Sequence, residues 1–230
     1  MQINRHIFVT TILLIISIYF FGISEIDLSI QDIFYNFTTH KWMLPWSQEP
    51  YKFIFYDGIK KLLIVFAVVM LILLTFFRKK SFLDGYKKGL LVVILAAIFV
   101  PALSSGMKKY TNMPCPRDEV RYGGEYPRTA VWQSYTQEFK LTHKRTKCWP
   151  AGHASGGFAL MSLFFLFHKK RNRYIALGGG MLIGWAMGGY KMIIGDHFFS
   201  HTVITMLLAW LIILLIVRGV YGKTYLPRST

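Results

Sequence analysis

The chain has 230 residues, of which 53% are hydrophobic and 17% aromatic, with 27 Lys and Arg against 11 Asp and Glu for a net charge of +16. That richness in aliphatic and aromatic residues excludes a disordered basic tail. The apolar residues come in blocks rather than at amphipathic spacing, which excludes an ordinary soluble domain and leaves a basic, all-α integral membrane protein.

In chain order the apolar blocks are Ile7–Ile23, Leu62–Phe77, Leu90–Met107, Gly156–Phe167, Tyr174–Ile194 and Thr202–Val217. A helix needs about 20 apolar residues to span a bilayer. The first, third, fifth and sixth blocks meet or approach that length. The second does so if Ile59–Lys61 snorkel at its boundary, and the fourth only if its helix begins near Gly152. Arg5 and His6 ahead of the first block fit a signal-peptide start. No small-x-small cleavage site follows Gly22, however, and Glu25 and Asp27 come at once, so a retained first helix is expected. The predicted fold is a six-helix transmembrane bundle, one domain over residues 1–230, because no repeat or linker divides it.

Orientation follows from the short loops. Arg78, Lys79, Lys80, Lys87 and Lys88 crowd one connection, Lys169, Lys170, Arg171 and Arg173 another, and Arg218, Lys223 and Arg228 the C-terminal tail. With six helices all three lie on one side, which the positive-inside rule makes cytoplasmic, so both termini are expected inside. The outer connections are then 24–58, 108–149 and the turn around Gly195–His201. The outer loop 108–150 breaks the rule by carrying nine Lys and Arg. It reads either as a solvated loop resting on anionic headgroups or as a collector of an anionic substrate.

Three clusters fall at the outer ends of helices three to six: Lys108 to Asp118, Cys148 to Gly157, and Lys191 to His201. Phosphoryl transfer spreads negative charge over three oxygens and calls for fixed cations around them. Lys108, Arg117 and Lys191 are the candidates. Pro150-Ala151-Gly152-His153 ahead of an apolar helix offers backbone N–H groups and the positive dipole end, a place for an anion. His153, His197 and His201 supply imidazoles for proton transfer or for attack on phosphorus. Taken singly these features have plainer explanations. A lysine at a helix end snorkels, Ser155-Gly156-Gly157 permits close helix packing, and His6, His40, His143 and His168 read as ordinary interface histidines. What favours a site is that all three clusters fall on one face of an independently derived topology.

With those residues in view, the chain resembles the type 2 phosphatidic acid phosphatase superfamily, in its membrane-bound branch. That family carries Lys-x6-Arg-Pro, Pro-Ser-Gly-His and Ser-Arg-x5-His-x3-Asp. Here Lys108-x6-Cys115-Pro116, Pro150-Ala151-Gly152-His153 and Tyr190-Lys191-x5-His197-x3-His201 stand in the same order. The resemblance covers about 107–210, and it is nearest a bacterial subgroup with Cys-Pro and Gly-His-Ala-Ser variants. It implies that His197 is the nucleophile forming a phosphohistidine and that His153 protonates the leaving oxygen and then activates water. Lys108, Lys191 and the Gly152 backbone would hold phosphate oxygens, and His201 would orient His197 where the family has Asp. Arg117 is the candidate to replace the cation missing at Cys115, and Ser155 the hydroxyl missing at Ala151. Asp196 is an alternative orienter.

The function so implied is a metal-independent lipid phosphatase of a bacterial inner membrane, with its site facing the periplasm. The substrate would be lipid A, undecaprenyl pyrophosphate or a phospholipid phosphate. The alternatives are a lipid phosphotransferase using the same site and a non-enzymatic anionic-lipid binder or transporter. No cofactor, metal or nucleic-acid partner is expected; no zinc-like spacing or nucleotide loop is present. Cys115 and Cys148, the only cysteines, share the outer loop, where an oxidising compartment would let a disulfide persist; the alternative is two free thiols near the interface.

Overall fold

The structure is a computed structural model that describes residues 2–46, 48–77 and 79–222. Arg78, Lys223 and Arg228, counted above toward the inner charge, lie outside the described residues. The chain is helical: α1 (Ile3–Ile23), α2 (Ile26–Asp32), α3 (Ile59–Phe76), α4 (Lys87–Met107), α5 (Gln137–Thr142), α6 (Gly152–Ala159), α7 (Lys170–Ile193) and α8 (Phe199–Tyr221). A two-residue ribbon, β1 (Tyr35–Asn36) and β2 (Lys41–Trp42), pairs antiparallel with Tyr35 opposite Trp42.

Four helical runs are long and apolar enough to cross a membrane: α1, Phe53–Phe76, α4 and α8. The second is longer than its apolar block because a π-helical turn, Phe53–Gly58, leads directly into α3. The other two expected spans differ for physical reasons. After eight residues α6 tightens into a 3₁₀ stretch, Leu160–Phe165. α7 has ample length, but glycine replaces apolar side chains on its packed face. A Cβ on Gly157 of α6 would meet the Gly184 backbone at 2.7 Å, and one on Gly180 would meet Met161 N at 2.6 Å. The backbones of α6 and α7 touch there, the packing that small residues permit between apolar helices.

The core lies where α4, α6 and α8 meet, around Val92, Ala96, Phe158, Ile213 and Leu214. α1 packs along α8. α3 has no buried residue, and Leu62, Val65 and Leu71 are exposed, as on a helix facing lipid. It leans on α4 with one edge only, and a cavity of about 460 Å³ remains between α3, α4 and α6.

Candidate active site

The site is assembled at the C-terminal ends of α4 and α7 and the N-terminal ends of α6 and α8. α7 stops at Gly195, which has φ +76°. The Asp196 N–H reaches back to the Lys191 carbonyl at 2.8 Å and the Gly195 N–H to the Met192 carbonyl at 3.0 Å, the bonds of a Schellman motif with glycine in the left-handed position. Trp42 covers this turn so closely that a Cβ on Gly195 would lie 2.4 Å from its ring. The reversal brings Asp196 onto the last turn of α7, where its carboxylate pairs with Lys191 Nζ at 2.7 Å. Arg117, whose N–H donates to the Gly195 carbonyl, adds its guanidinium to the other carboxylate oxygen at 2.6 Å. Asp196 thus holds the two cations together rather than orienting His197.

His197 follows, fully buried, and His201 lies one turn into the site on α8 with their Nδ1 atoms 3.5 Å apart. Among the described residues His197 Nε2 and His153 Nδ1 are buried without a hydrogen-bond partner. The His153 and His197 rings are 5.8 Å apart between centroids. Burial pushes the His197 pKa well below the usual imidazole value, and the neighbouring His201, Lys108, His153 and Lys191 charges push it further. His197 is therefore neutral near pH 7, with a lone pair on a ring nitrogen. In the tautomer with the proton on Nδ1, toward His201, that lone pair is on Nε2.

α6 begins beside them. Thr205 of α8 accepts the Ala151 N–H at 2.8 Å and donates its own hydroxyl to the His201 carbonyl, so the starts of α6 and α8 are tied through one side chain. Lys108 runs across Gly152, where a Cβ would be 3.0 Å from Lys108 Cε and 3.3 Å from Nζ. Burial lowers the Lys108 pKa; Asp196 opposes the shift and Lys191 adds to it. The Gly152 N–H is donated to the Pro150 carbonyl. Ser155 is buried and gives its hydroxyl proton to the Gly152 carbonyl at 2.6 Å, so that proton is used within its own helix. Cys115 and Cys148 are joined as a disulfide with Cα atoms 5.2 Å apart, which links the segment carrying Arg117 to the segment entering α6.

Three contributors lie upstream of every motif. Tyr56, in the π-helical turn, sets its ring edge-on to His153 with centroids 4.9 Å apart, and the Lys191 ammonium lies 4.5 Å over its face. Asp27 and Gln31 of α2 hold the two ends of the α7–α8 turn, through Ser200 and the Met192 carbonyl respectively. No local sequence signal marks them. Tyr56 does begin a one-sided stripe with Lys60, Leu63 and Ala67 at helical spacing.

Buried imidazoles among lysines at converging helix ends, in a chain with several membrane-length apolar helices, have the chemistry to hold an anion. The family model of the PAP2 superfamily matches residues 88–225, and the chain belongs to that superfamily. Membership implies phosphatase activity on phosphorylated substrates, often lipids. Comparison with curated proteins and with solved structures gave no match.

Proposed function

We propose that the protein is a metal-independent lipid phosphatase working through a phosphohistidine on His197. The observation that carries the lipid part is the cavity. It is lined by His153, Gly152 and Lys108 together with apolar residues including Leu63, Ala67, Val93, Ala97 and Leu160. A phosphate ester seated among the histidines would run its apolar tail down this slot, with α3 as the lipid-facing wall.

In the first step His197 Nε2 attacks phosphorus, the bond to the leaving oxygen breaks, and His153 supplies that oxygen's proton. In the second, His153 takes a proton from water, whose oxygen attacks phosphorus; the P–N bond breaks and phosphate departs. His201 shares the proton on His197 Nδ1 as the ring becomes positive. Lys108, Lys191 and Arg117 face the charge that grows on the equatorial oxygens.

The same reading gives six spanning segments, with α6 and its 3₁₀ continuation as the short fourth and α7 as the fifth. Both termini lie on the basic, cytoplasmic side, and the site is at the outer face of a bacterial inner membrane. The test is phosphate release by purified protein from lipid A, polyprenyl diphosphate, phosphatidylglycerol phosphate and phosphatidic acid, against His197→Ala. Turnover of at least one lipid, lost in the variant, is expected; equal activity in His197→Ala would sink the assignment.

A further inference from the structure

We propose that the turn ahead of α3 is part of the site and that Lys60 contacts the leaving-group side of the substrate, which is a lipid whose leaving group carries its own negative charge beside the scissile bond, as in a lipid diphosphate. The proposal rests on the phosphatase reading above and specifies its substrate. Tyr56 and Lys60 lie outside the span that matches the superfamily, yet both line the same cavity as His153, Gly152 and Lys108.

The cations of the site are divided by position. Lys191 is paired with Asp196 and lies over one side of the Tyr56 ring. Lys108 crosses Gly152. Lys60 is one helical turn beyond Tyr56, its ammonium 6.0 Å from that ring, and among the described residues it has no carboxylate partner. Tyr56 of the π-helical turn and Lys60, Leu63 and Ala67 of α3 all line this cavity in succession. The lining passes from an aromatic ring against His153, through a cation, to apolar wall. A substrate whose phosphorus faces His197 and whose tail follows that wall must place the atoms joining the two at the level of Lys60. A neutral ester oxygen there has little use for an ammonium group, whereas a second phosphoryl does.

The chemistry balances without a further reactant. His197 Nε2 attacks the terminal phosphorus and the bridging P–O bond breaks. Its electron pair stays on the bridging oxygen, now a terminal oxygen of the lipid monophosphate, which takes the His153 proton while Lys60 faces the remaining charge of that phosphoryl. Water then releases the phosphoryl from His197, its proton passing to His153.

A matched pair of substrates, farnesyl diphosphate and farnesyl monophosphate, tests this with the purified full-length protein in neutral detergent micelles. Lys60→Met is expected to lower kcat/KM for the diphosphate at least tenfold while changing the monophosphate less than twofold, and Lys60→Arg to restore most of the loss. Equal effects on the two substrates, including no effect on either, would overturn the proposal and leave Lys60 as a lysine snorkelling to the headgroups. Failure of the underlying reading looks different: His197→Ala would then retain wild-type turnover of both.

Discussion

The Asp27 carboxylate caps α8 from another helix, accepting the Ser200 backbone N–H at 2.8 Å and the Ser200 hydroxyl as well. Asp27 is 1% exposed, and the first-turn amide it satisfies would otherwise be an orphan donor of a helix N-terminus. Four residues along α2, Gln31 donates to the Met192 carbonyl at 2.8 Å. One short helix thereby holds both ends of the turn that presents Asp196, His197 and His201.

Asp27→Ala is therefore expected to lower kcat on the order of 10²-fold, the scale for a reacting group displaced by about 1 Å, with a much smaller change in KM. Asp27→Asn keeps an oxygen for the Ser200 N–H and should recover most of the rate. Steady-state kinetics on the lipid that the wild type turns over decides it. A pure KM effect, or an Asn variant no better than Ala, would show that α2 does not position the turn.

Much of this was legible in the sequence, and the boundary has a physical cause. The spacing of Lys108, His153, Lys191 and His197 picks out residues that converge, because each stands at a helix end and helix ends can be read locally. Asp196 gathering Lys191 and Arg117 was not legible. It depends on the Gly195 reversal and on a loop folded back from residue 117. Asp27 and Tyr56 come from elements whose local patterns say only membrane boundary. α7 falls short of the apolarity of the four candidate spans, since glycines that let two backbones touch contribute little apolarity.

The cation assignment predicts that Lys191→Ala costs on the order of 10²–10³ in rate, the loss typical of one transition-state electrostatic contact. Lys191→Arg should retain part of it. Asp196 presents negative charge to Lys191 and Arg117 alike, so Asp196→Asn should free both cations and strengthen inhibition by inorganic phosphate. An unchanged rate in Lys191→Ala, or unchanged phosphate inhibition in Asp196→Asn, would count against the arrangement.

The disulfide gives a separate expectation. Its partners are 33 residues apart, and closing a loop of that size stabilises a fold by roughly 3–4 kcal/mol in the chain-entropy treatment. Reduction should lower the melting temperature and also the rate, since Cys115 leads to Arg117 and Cys148 to the start of α6. Unreduced protein from its native membrane, alkylated under denaturing conditions, should show no modified thiol by mass spectrometry; two alkylated cysteines would refute the bridge.

A buried carboxyl in the loop after α4 makes stability depend on pH. Burial raises the Glu119 pKa from 4.5 to about 7, with Asp27 adding and Arg128 and Arg121 opposing. Below pH 4.5 the group is neutral both folded and unfolded. As pH rises from 4.5 to about 7 the unfolded chain loses its proton first, so this group's contribution to stability falls through that window and levels off above it. Glu119→Gln stays neutral and should flatten the decline in melting temperature over that range. Identical slopes for the two proteins would contradict it.

The most direct measurement is capture of the phosphoenzyme. Purified protein mixed with p-nitrophenyl phosphate labelled on phosphorus, and quenched in alkali within milliseconds, should carry a label that acid removes, as expected for phosphohistidine. His153→Ala, which forms the intermediate from a donor with a good leaving group but hydrolyses it slowly, should accumulate more label, and His197→Ala should carry none. Label retained in His197→Ala, or absent from both the wild type and His153→Ala, would contradict covalent catalysis by His197.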